Sequence, residues 1–281
     1  MISFPVATVA EIEAHAAAGG PVLWFDARAG EAGRAAYAAG HVAGAVHVEL
    51  ERDLSGDTSD PARGGRHPLP EIGEWATRLG KLGIGPDSIV VVYDDKGGAN
   101  AAARFWWMLR AVGHRNVALV DGGWPAIVAA GVPTDARAVA PVDVRPYPVR
   151  SWQLGTEDMA QVQSLAADRV LLDVREGARF RGEVEQVDPV AGHIPGARNL
   201  FFGENLGGDG RFLSPAELRA KYTALLGGKS PEALVVSCGS GVTACHTLVA
   251  LDRAGLHGAK LYVGSWSEWC RAGGKIARGE D

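Results

Sequence analysis

The sequence predicts an α/β protein made of two copies of one unit, each a mostly parallel sheet covered by helices on both faces. Three observations carry this. Short apolar runs alternate along the chain with segments of helical periodicity, the pattern of strand–helix–strand crossovers. Landmarks of the first half recur in the second at similar offsets, so a single unit of about 130 residues is written twice, within the usual domain range. A strand passes into a helix through a very short glycine-containing turn at 234–251, LVVSCGSGVTACHTLVAL.

The repeat can be followed landmark by landmark. Val22-Leu23-Trp24-Phe25-Asp26-Ala27-Arg28 answers to Val170-Leu171-Leu172-Asp173-Val174-Arg175, and Gly40-His41 to Gly192-His193. Ile89 to Tyr93 answers to Leu234 to Ser237, and Asp121-Gly122-Gly123-Trp124 to Val263-Gly264-Ser265-Trp266. In the first copy, strands are predicted at 22–25, 45–48, 89–93 and 117–120, and helices at 8–18, 71–81 and 99–111. In the second, strands are predicted at 170–173, 197–200, 234–237 and 259–263, and helices at 156–166, 214–225 and 243–254. The segment 138–150, with three prolines, reads as a semi-rigid linker between a first domain, 1–137, and a second, 151–281.

The turn after the 234–237 strand holds Cys238-Gly239-Ser240-Gly241-Val242-Thr243. Such a turn brings successive backbone N–H groups towards one point, and the following helix adds its positive end there. These dipoles favour a thiolate over a thiol. Glycines let the backbone bend and approach closely. A plain buried cysteine is one alternative, but a buried thiol does not need this cradle. A dinucleotide fingerprint is another: Gly239 to Ala244 fits G-x-G-x-x-A, but no acidic residue ends the next strand, since Asp252 comes too early and lies on the helix. A cysteine phosphatase would need an arginine six positions after the cysteine to clamp phosphoryl oxygens; position 244 is alanine. The loop carries no cation of its own and suits a single sulfur atom.

These motifs are specific. CGSGVTACH, with GSWSEW (Gly264 to Trp269) after it and GHIPGARN (Gly192 to Asn199) before it, resembles the catalytic domain of the rhodanese superfamily. The length resembles its two-domain thiosulfate and 3-mercaptopyruvate sulfurtransferases. The resemblance implies tandem rhodanese-like domains, Cys238 as nucleophile, and a cradle of Gly239, Ser240, Gly241, Val242 and Thr243. It implies that Arg181, in Arg179-Phe180-Arg181-Gly182, meets the anionic end of the donor, a role for which a planar guanidinium fork is well matched. It further implies that a histidine of the first half, placed at His41, assists Ser240. The second arginine used by mercaptopyruvate enzymes is absent from 183–190, EVEQVDPV, whereas the neutral Gly239-Ser240 pair is similar to the mercaptopyruvate type. The donor expected is 3-mercaptopyruvate, with thiosulfate as alternative and a non-enzymatic persulfide carrier as a third reading. Acceptors would be cyanide, a dithiol or thioredoxin. The reaction needs no metal and no organic cofactor.

Aligning the halves puts Asp94 where Cys238 stands, so the first half has no nucleophile and is expected to be structural. Asp94 and Asp95 read as solvent-facing acids at a turn. Asp26 with Arg28, and Asp173 with Arg175, read as ion pairs within each unit, and His41 and His193 share that duality. Cys245 reads as a core residue; Cys270 is assigned no role.

Composition bounds the partners. The 281 residues carry a net charge of −5 and are 47% hydrophobic and 22% charged, as in a globular protein with a full core. No basic stretch could track a phosphate backbone, which excludes nucleic acid. No apolar run approaches a membrane span, and the N-terminus, with Glu11 and Glu13 early, does not read as a signal peptide. Three cysteines make no disulfide framework and point to the cytoplasm.

Overall fold

The computed structural model describes residue 2 and residues 4–280. Its strands and helices fall into two compact units. The first comprises 1–54, 70–153 and 206–212; the second comprises 55–69, 154–205 and 213–281. Two short segments therefore belong to a unit other than their place in the chain suggests.

The first unit runs β1 (Val6–Ala7), α1 (Val9–Ala17), β2 (Leu23–Asp26), α2 (Gly30–Ala39), β3 (His41–Val42), β4 (Val46–His47), α3 (Leu50–Asp53), α4 (Ile72–Lys81), β5 (Val90–Tyr93), α5 (Ala101–Arg110), β6 (Val117–Val120), α6 (Gly123–Ala129) and β7 (Thr134–Asp135). Five strands form one sheet in the order β1-β6-β5-β2-β4, every pair parallel. β3 and β7 pair separately and antiparallel. The second unit runs β8 (Thr156–Glu157), α7 (Met159–Gln163), β9 (Val170–Asp173), α8 (Gly177–Phe180), β10 (Arg198–Asn199), α9 (Pro215–Leu226), β11 (Leu234–Ser237), α10 (Ala244–Arg253), β12 (Lys260–Tyr262) and α11 (Ser265–Arg271). Its sheet order, β10-β9-β11-β12-β8, is the same as the first once each strand is matched to its repeat partner. All its pairs are parallel too.

The central strands are apolar along their whole length because both faces are covered, as parallel sheets require. β5, β6, β9 and β11 are buried at every position. Side chains on one face of β5 and β6 (Val91, Tyr93, Ala118, Val120) pack with Ile12 and Ile127. In the second unit Leu171 and Val235 pack with Phe180, Tyr262, Trp266 and Trp269. Capping boxes start α1 at Thr8 and Glu11, and α9 at Ser214 and Glu217, fixing where these helices begin.

The helix expected over 156–166 is a correction. Thr156 and Glu157 instead form the edge strand β8 beside β12, and only Met159–Gln163 is helical. Asp158 caps that helix with Gln161 in a capping box, which places the boundary after the strand. The 138–150 segment is not a free linker. Val144 and Tyr147 N–H groups donate to Gly80 and Ala76 carbonyls of α4, at 2.9 Å each. A side chain at Gly80 would lie 2.8 Å from the Val144 carbonyl, so the glycine is what allows this approach.

The ion pairs expected at the strand ends form in both units. Arg28 reaches both carboxylate oxygens of Asp26, at 2.6 Å from Nη2, donates to the Gly40 carbonyl, and lies 4.4 Å over the Trp124 ring. Arg175 does the same with Asp173, at 2.7 Å, the Gly192 carbonyl and the Trp266 ring, at 4.9 Å. Both pairs are buried. Removing one member of such a pair strands the other charge. Asp26→Ala is therefore expected to lower the unfolding free energy by about 3–5 kcal/mol in urea denaturation; a loss below about 1 kcal/mol would show that Arg28 finds water or another partner.

Candidate active site

β11 ends at Ser237 in the middle of its sheet, and Cys238 is the next residue, 2% exposed. Ligands of open parallel sheets bind beyond such carboxyl ends. The turn is pinned from the side by α11. The Cys238 N–H donates to Ser265 Oγ at 3.1 Å, while the N–H groups of Trp266 and Ser267 donate to the carbonyls of Cys238 and Gly239, at 3.0 and 2.9 Å. Gly241 has φ +71°, and a Cβ there would stand 2.2 Å from the Val263 carbonyl, so only glycine fits.

The first unit has an acid at the corresponding strand end, in a turn one residue longer: α5 begins seven residues after Asp94 and α10 six after Cys238. Asp94 follows β5 as Cys238 follows β11. It is 1% exposed, and its carboxylate accepts the N–H groups of Lys96 and Gly98, at 2.8 Å, and of Asn100, at 3.3 Å. Burial raises its pKa although these amides work the other way. The expectation of a solvent-facing acid holds for Asp95, which is exposed, and fails for Asp94. The Asp94 carboxyl is enclosed by the amides of its own turn.

A cavity of about 200 Å³ opens over Cys238. Its walls include Cys238, Gly239, Ser240 and Thr243, with Val174, Glu176, Phe202 and three guanidinium groups, Arg66, Arg175 and Arg179. Of the residues expected at the site, these four meet at the cavity. Gly241 and Val242 shape the turn without lining it; Val242 is buried.

Arg181 is not brought to the cavity. It lies one residue past the end of α8, and its guanidinium binds Glu183 at 2.7 Å and Glu280 at 3.5 Å. These carboxylates raise its pKa, the Glu183 hydrogen bond foremost. Arg179, two residues earlier, is the member of that run that faces Cys238. Its Nη2 binds Glu185 at 2.8 Å and comes within 3.6 Å of Asp188. Glu185 stays charged: burial opposes the charge, but the N–H groups of Val187 and Asp188 and the Arg179 guanidinium lower its pKa overall. Arg175 is held charged in the same way, its burial more than offset by Asp173 and Glu185.

His41 is also not the histidine at Ser240. It is buried, its Nδ1 lies 2.8 Å from the Tyr37 carbonyl, and its ring stacks on Tyr37 at 3.8 Å. His193 repeats this with Phe180, at the same two distances. The partner of Ser240 Oγ is His67 Nδ1, at 2.9 Å. His67 and Arg66 were missed in the sequence because their segment precedes the catalytic half and carries no helix or strand periodicity. One signal was available. The stretch 54–70, LSGDTSDPARGGRHPLP, is a long irregular loop inside a compact domain, and such loops are commonly functional.

Fold and turn together define a tandem α/β protein built around one cysteine in an anion-cradling strand–helix turn. The comparisons agree. A rhodanese-like domain model matches residues 8–130 and again 158–272. A Pseudomonas aeruginosa protein named "Probable 3-mercaptopyruvate sulfurtransferase" is 47% identical over 240 residues, 84% of each chain. The mouse thiosulfate sulfurtransferase is 34% identical over 85% of this chain and 80% of its own. Among solved structures, the 3-mercaptopyruvate sulfurtransferase from Leishmania major superposes with a TM-score of 0.80 at 30% identity, covering 95% of this chain and 74% of that one. The chain belongs to the rhodanese family and is a two-domain sulfurtransferase.

The other two cysteines differ in kind from Cys238. Cys245 is fully buried in α10, as expected of a core residue, with its thiol 3.4 Å from the Gly241 carbonyl. Cys270 is partly exposed, and burial, then the nearby Asp188 charge, raise its pKa above the ordinary thiol value. A raised pKa keeps it as the thiol through neutral pH. In a Cys238→Ser variant, alkylation by iodoacetamide is therefore expected to be slower at pH 7.5 than that of an unburied thiol and to rise as the solution is made alkaline. Fast alkylation at pH 7.5, mapped to Cys270 by mass spectrometry, would contradict this.

Proposed function

We propose that the protein takes the transferable sulfur of 3-mercaptopyruvate on Cys238, as a persulfide, and passes it to a thiophilic acceptor. The observation that carries the donor is the Ser240–His67 hydrogen bond at 2.9 Å beside Cys238. The two donors differ in what the leaving group needs. When the Cys238 thiolate attacks the sulfur of mercaptopyruvate, the S–S bond forms and the C–S bond breaks. The electron pair goes to the methylene carbon, which must gain a proton to become pyruvate. The donor's own thiol supplies that proton, and a hydroxyl–imidazole pair is suited to relay it. Thiosulfate releases sulfite and needs no proton. A Ser–His pair at the nucleophile therefore favours a donor whose leaving group is a carbanion.

The neutrality of Gly239 and Ser240 no longer supports that choice, because three guanidinium groups reach the cavity from elsewhere. They do support an anionic donor of small size. The amides of the turn, Gly239 to Thr243, would hold the thiolate and then the persulfide, and Arg179 would take the donor carboxylate in place of Arg181. The persulfide would then pass to cyanide, a dithiol or thioredoxin in a double displacement. The half from residue 151 would carry this chemistry, the half up to 137 having no nucleophile, with 138–150 joining them. A persulfide must survive between the two displacements, and all three cysteines are free; both fit a reducing cytoplasm. No helix among the described residues is long and apolar enough to cross a membrane.

The reading is tested by initial rates with 3-mercaptopyruvate and thiosulfate at equal concentration with one acceptor. Cys238→Ser is expected to abolish transfer from both. Ser240→Ala is expected to lower kcat with mercaptopyruvate by about 10²-fold or more, the usual scale of general acid–base assistance, and to leave thiosulfate turnover within about threefold. Equal losses with the two donors would remove the proton argument and, with it, the preference. Arg179→Ala is expected to raise the donor KM by about tenfold or more, the scale of a lost charge-assisted hydrogen bond, while Arg181→Ala leaves it within about twofold. The reverse order would restore Arg181 as the donor contact.

A further inference from the structure

We propose that Glu176 is a specificity-determining residue of this enzyme, a fixed negative charge on the cavity wall that selects donors carrying one negative charge against donors carrying two. The proposal rests on the reading of the cavity as the site of an anionic donor.

Glu176 lines the cavity over Cys238 together with Arg66, Arg175 and Arg179. Its carboxylate stands apart from the others of this region. Asp173 is committed to Arg175, Glu185 to Arg179, and Asp188 to Arg66 and Arg271. Glu176 is exposed, and its carboxylate forms no hydrogen bond or ion pair among the described residues. With three guanidinium groups on the same walls, it is the one acid left facing the cavity.

The fold does not ask for an acid here. Glu176 immediately precedes α8, where a side chain can cap a helix, yet it makes no capping hydrogen bond. The repeat supplies an independent observation. Asp173 and Arg175 answer to Asp26 and Arg28, so Glu176 answers to Ala29, which immediately precedes α2 in the first unit. Alanine serves the shared frame equally well. The acid at 176 is therefore a feature of the unit that holds the nucleophile.

The effect of that acid follows from the charges around it. The paired cluster holds four guanidinium groups, Arg66, Arg175, Arg179 and Arg271, and three carboxylates, Asp173, Glu185 and Asp188. One positive charge is left over for a donor, and Glu176 brings the fourth negative charge that cancels it. A cavity of about 200 Å³ is narrower than the distance of about 10 Å over which charges act at 0.1 M salt, so the acid is felt throughout it. A donor with one negative charge can take a guanidinium fork with its anionic end turned from the acid. A donor with two meets twice the repulsion at the same place, because the interaction scales with the product of the charges. 3-Mercaptopyruvate, with one carboxylate and a neutral thiol, belongs to the first class, and thiosulfate to the second.

Two donors that share their chemistry and differ in charge test this. Thiosulfate is a dianion and methanethiosulfonate a monoanion. With either, the Cys238 thiolate attacks the outer sulfur and a new S–S bond forms. The old S–S bond breaks, and its electron pair leaves on sulfite or methanesulfinate without a proton. In a double displacement, kcat/KM for the donor reports this first half-reaction, from free enzyme and donor. In Glu176→Gln, kcat/KM is expected to rise about threefold for methanethiosulfonate and about tenfold for thiosulfate, the larger factor being the square of the smaller when the charge is doubled. Glu176→Asp keeps the charge and is expected to keep the native ratio of the two donors. Raising NaCl from about 0.1 to about 1 M shortens the screening length from about 10 to about 3 Å, and is expected to bring the donor ratios of the native enzyme and Glu176→Gln together. Equal rises for the two donors would overturn the proposal, since a role in shape or packing does not distinguish one charge from two. So would a thiosulfate kcat/KM in Glu176→Gln that falls or stays within about twofold of native. A donor ratio that shifts as far in Glu176→Asp as in Glu176→Gln would overturn it too. The choice of 3-mercaptopyruvate as donor is decided separately, by the native rates and by Ser240→Ala, and neither enters this comparison.

Discussion

A strand that ends in converging backbone N–H groups needs a hydrogen-bond acceptor to fill the space between them, and the first unit of this protein supplies one from its own chain. Amides left buried and unpaired would each cost about 1–3 kcal/mol, so the turn is stable only with an acceptor inside it. In the first unit the acceptor is covalent and permanent. The Asp94 carboxylate takes three N–H groups of its own turn. In the second unit the same position holds Cys238, whose sulfur accepts hydrogen bonds weakly as a thiol and well as a thiolate or persulfide. The two units are therefore one design with two occupants. One is an acid that closes the turn with its own carboxyl, and the other is a thiol that faces the cavity.

Around the second turn the protein must place cations without neutralising the nucleophile by direct pairing. It does so with arginines whose forks are already committed to buried carboxylates: Arg175 to Asp173, Arg179 to Glu185, Arg66 to Asp188. Each carboxylate fixes one side of a planar guanidinium and leaves another edge available. Lysines could not do this, since an ammonium on a flexible stem is not held by a two-point contact. The carboxylates need the arginines as much as the reverse. Three guanidinium groups surround the buried Asp188 carboxylate, and burying such a group without partners is costly.

Most of the fold was legible because its signals are local or repeated. The buried central strands are continuous apolar runs, and the internal repeat fixed their correspondence, so β5 and β11 were placed with the residues that follow them. The edge strands β1 and β8 were not seen, since two residues carry no periodicity and their identity depends on the neighbour they join. The nucleophile and its turn were legible for the same reason as β11, being contiguous in the chain. The cations were not. Arg179 and Arg181 lie two positions apart on a short helix and its end. Which of them faces Cys238 depends on Glu185 and Asp188, whose positions follow from a loop that no local pattern describes. His41 sits in a conserved-looking echo of Gly192-His193, which made it the natural partner for Ser240. The repeat itself argued otherwise, because a feature present in both units serves the part common to both.

That last point generalises to how the chain divides its labour. What the two units share is what holds a unit together: the parallel sheet order, the strand-end Asp–Arg pair stacked on a tryptophan, and the histidine stacked on an aromatic ring and bonded to a carbonyl. What they do not share is what the chemistry uses. Cys238 replaces an aspartate. Arg66 and His67 come from 55–69, which is longer than 206–212, the segment at the same place in the second half, and Glu185 and Asp188 from the stretch after α8. The differences are therefore confined to one altered turn and two segments of a duplicated frame. The 55–69 segment brings His67 to Ser240 and Arg66 to the cavity over Cys238. A second strand-end turn that is closed by its own carboxylate cannot compete for the donor. The half without a nucleophile thus gives fifteen of its residues to the unit that has one, while its own copy of the turn is filled by Asp94.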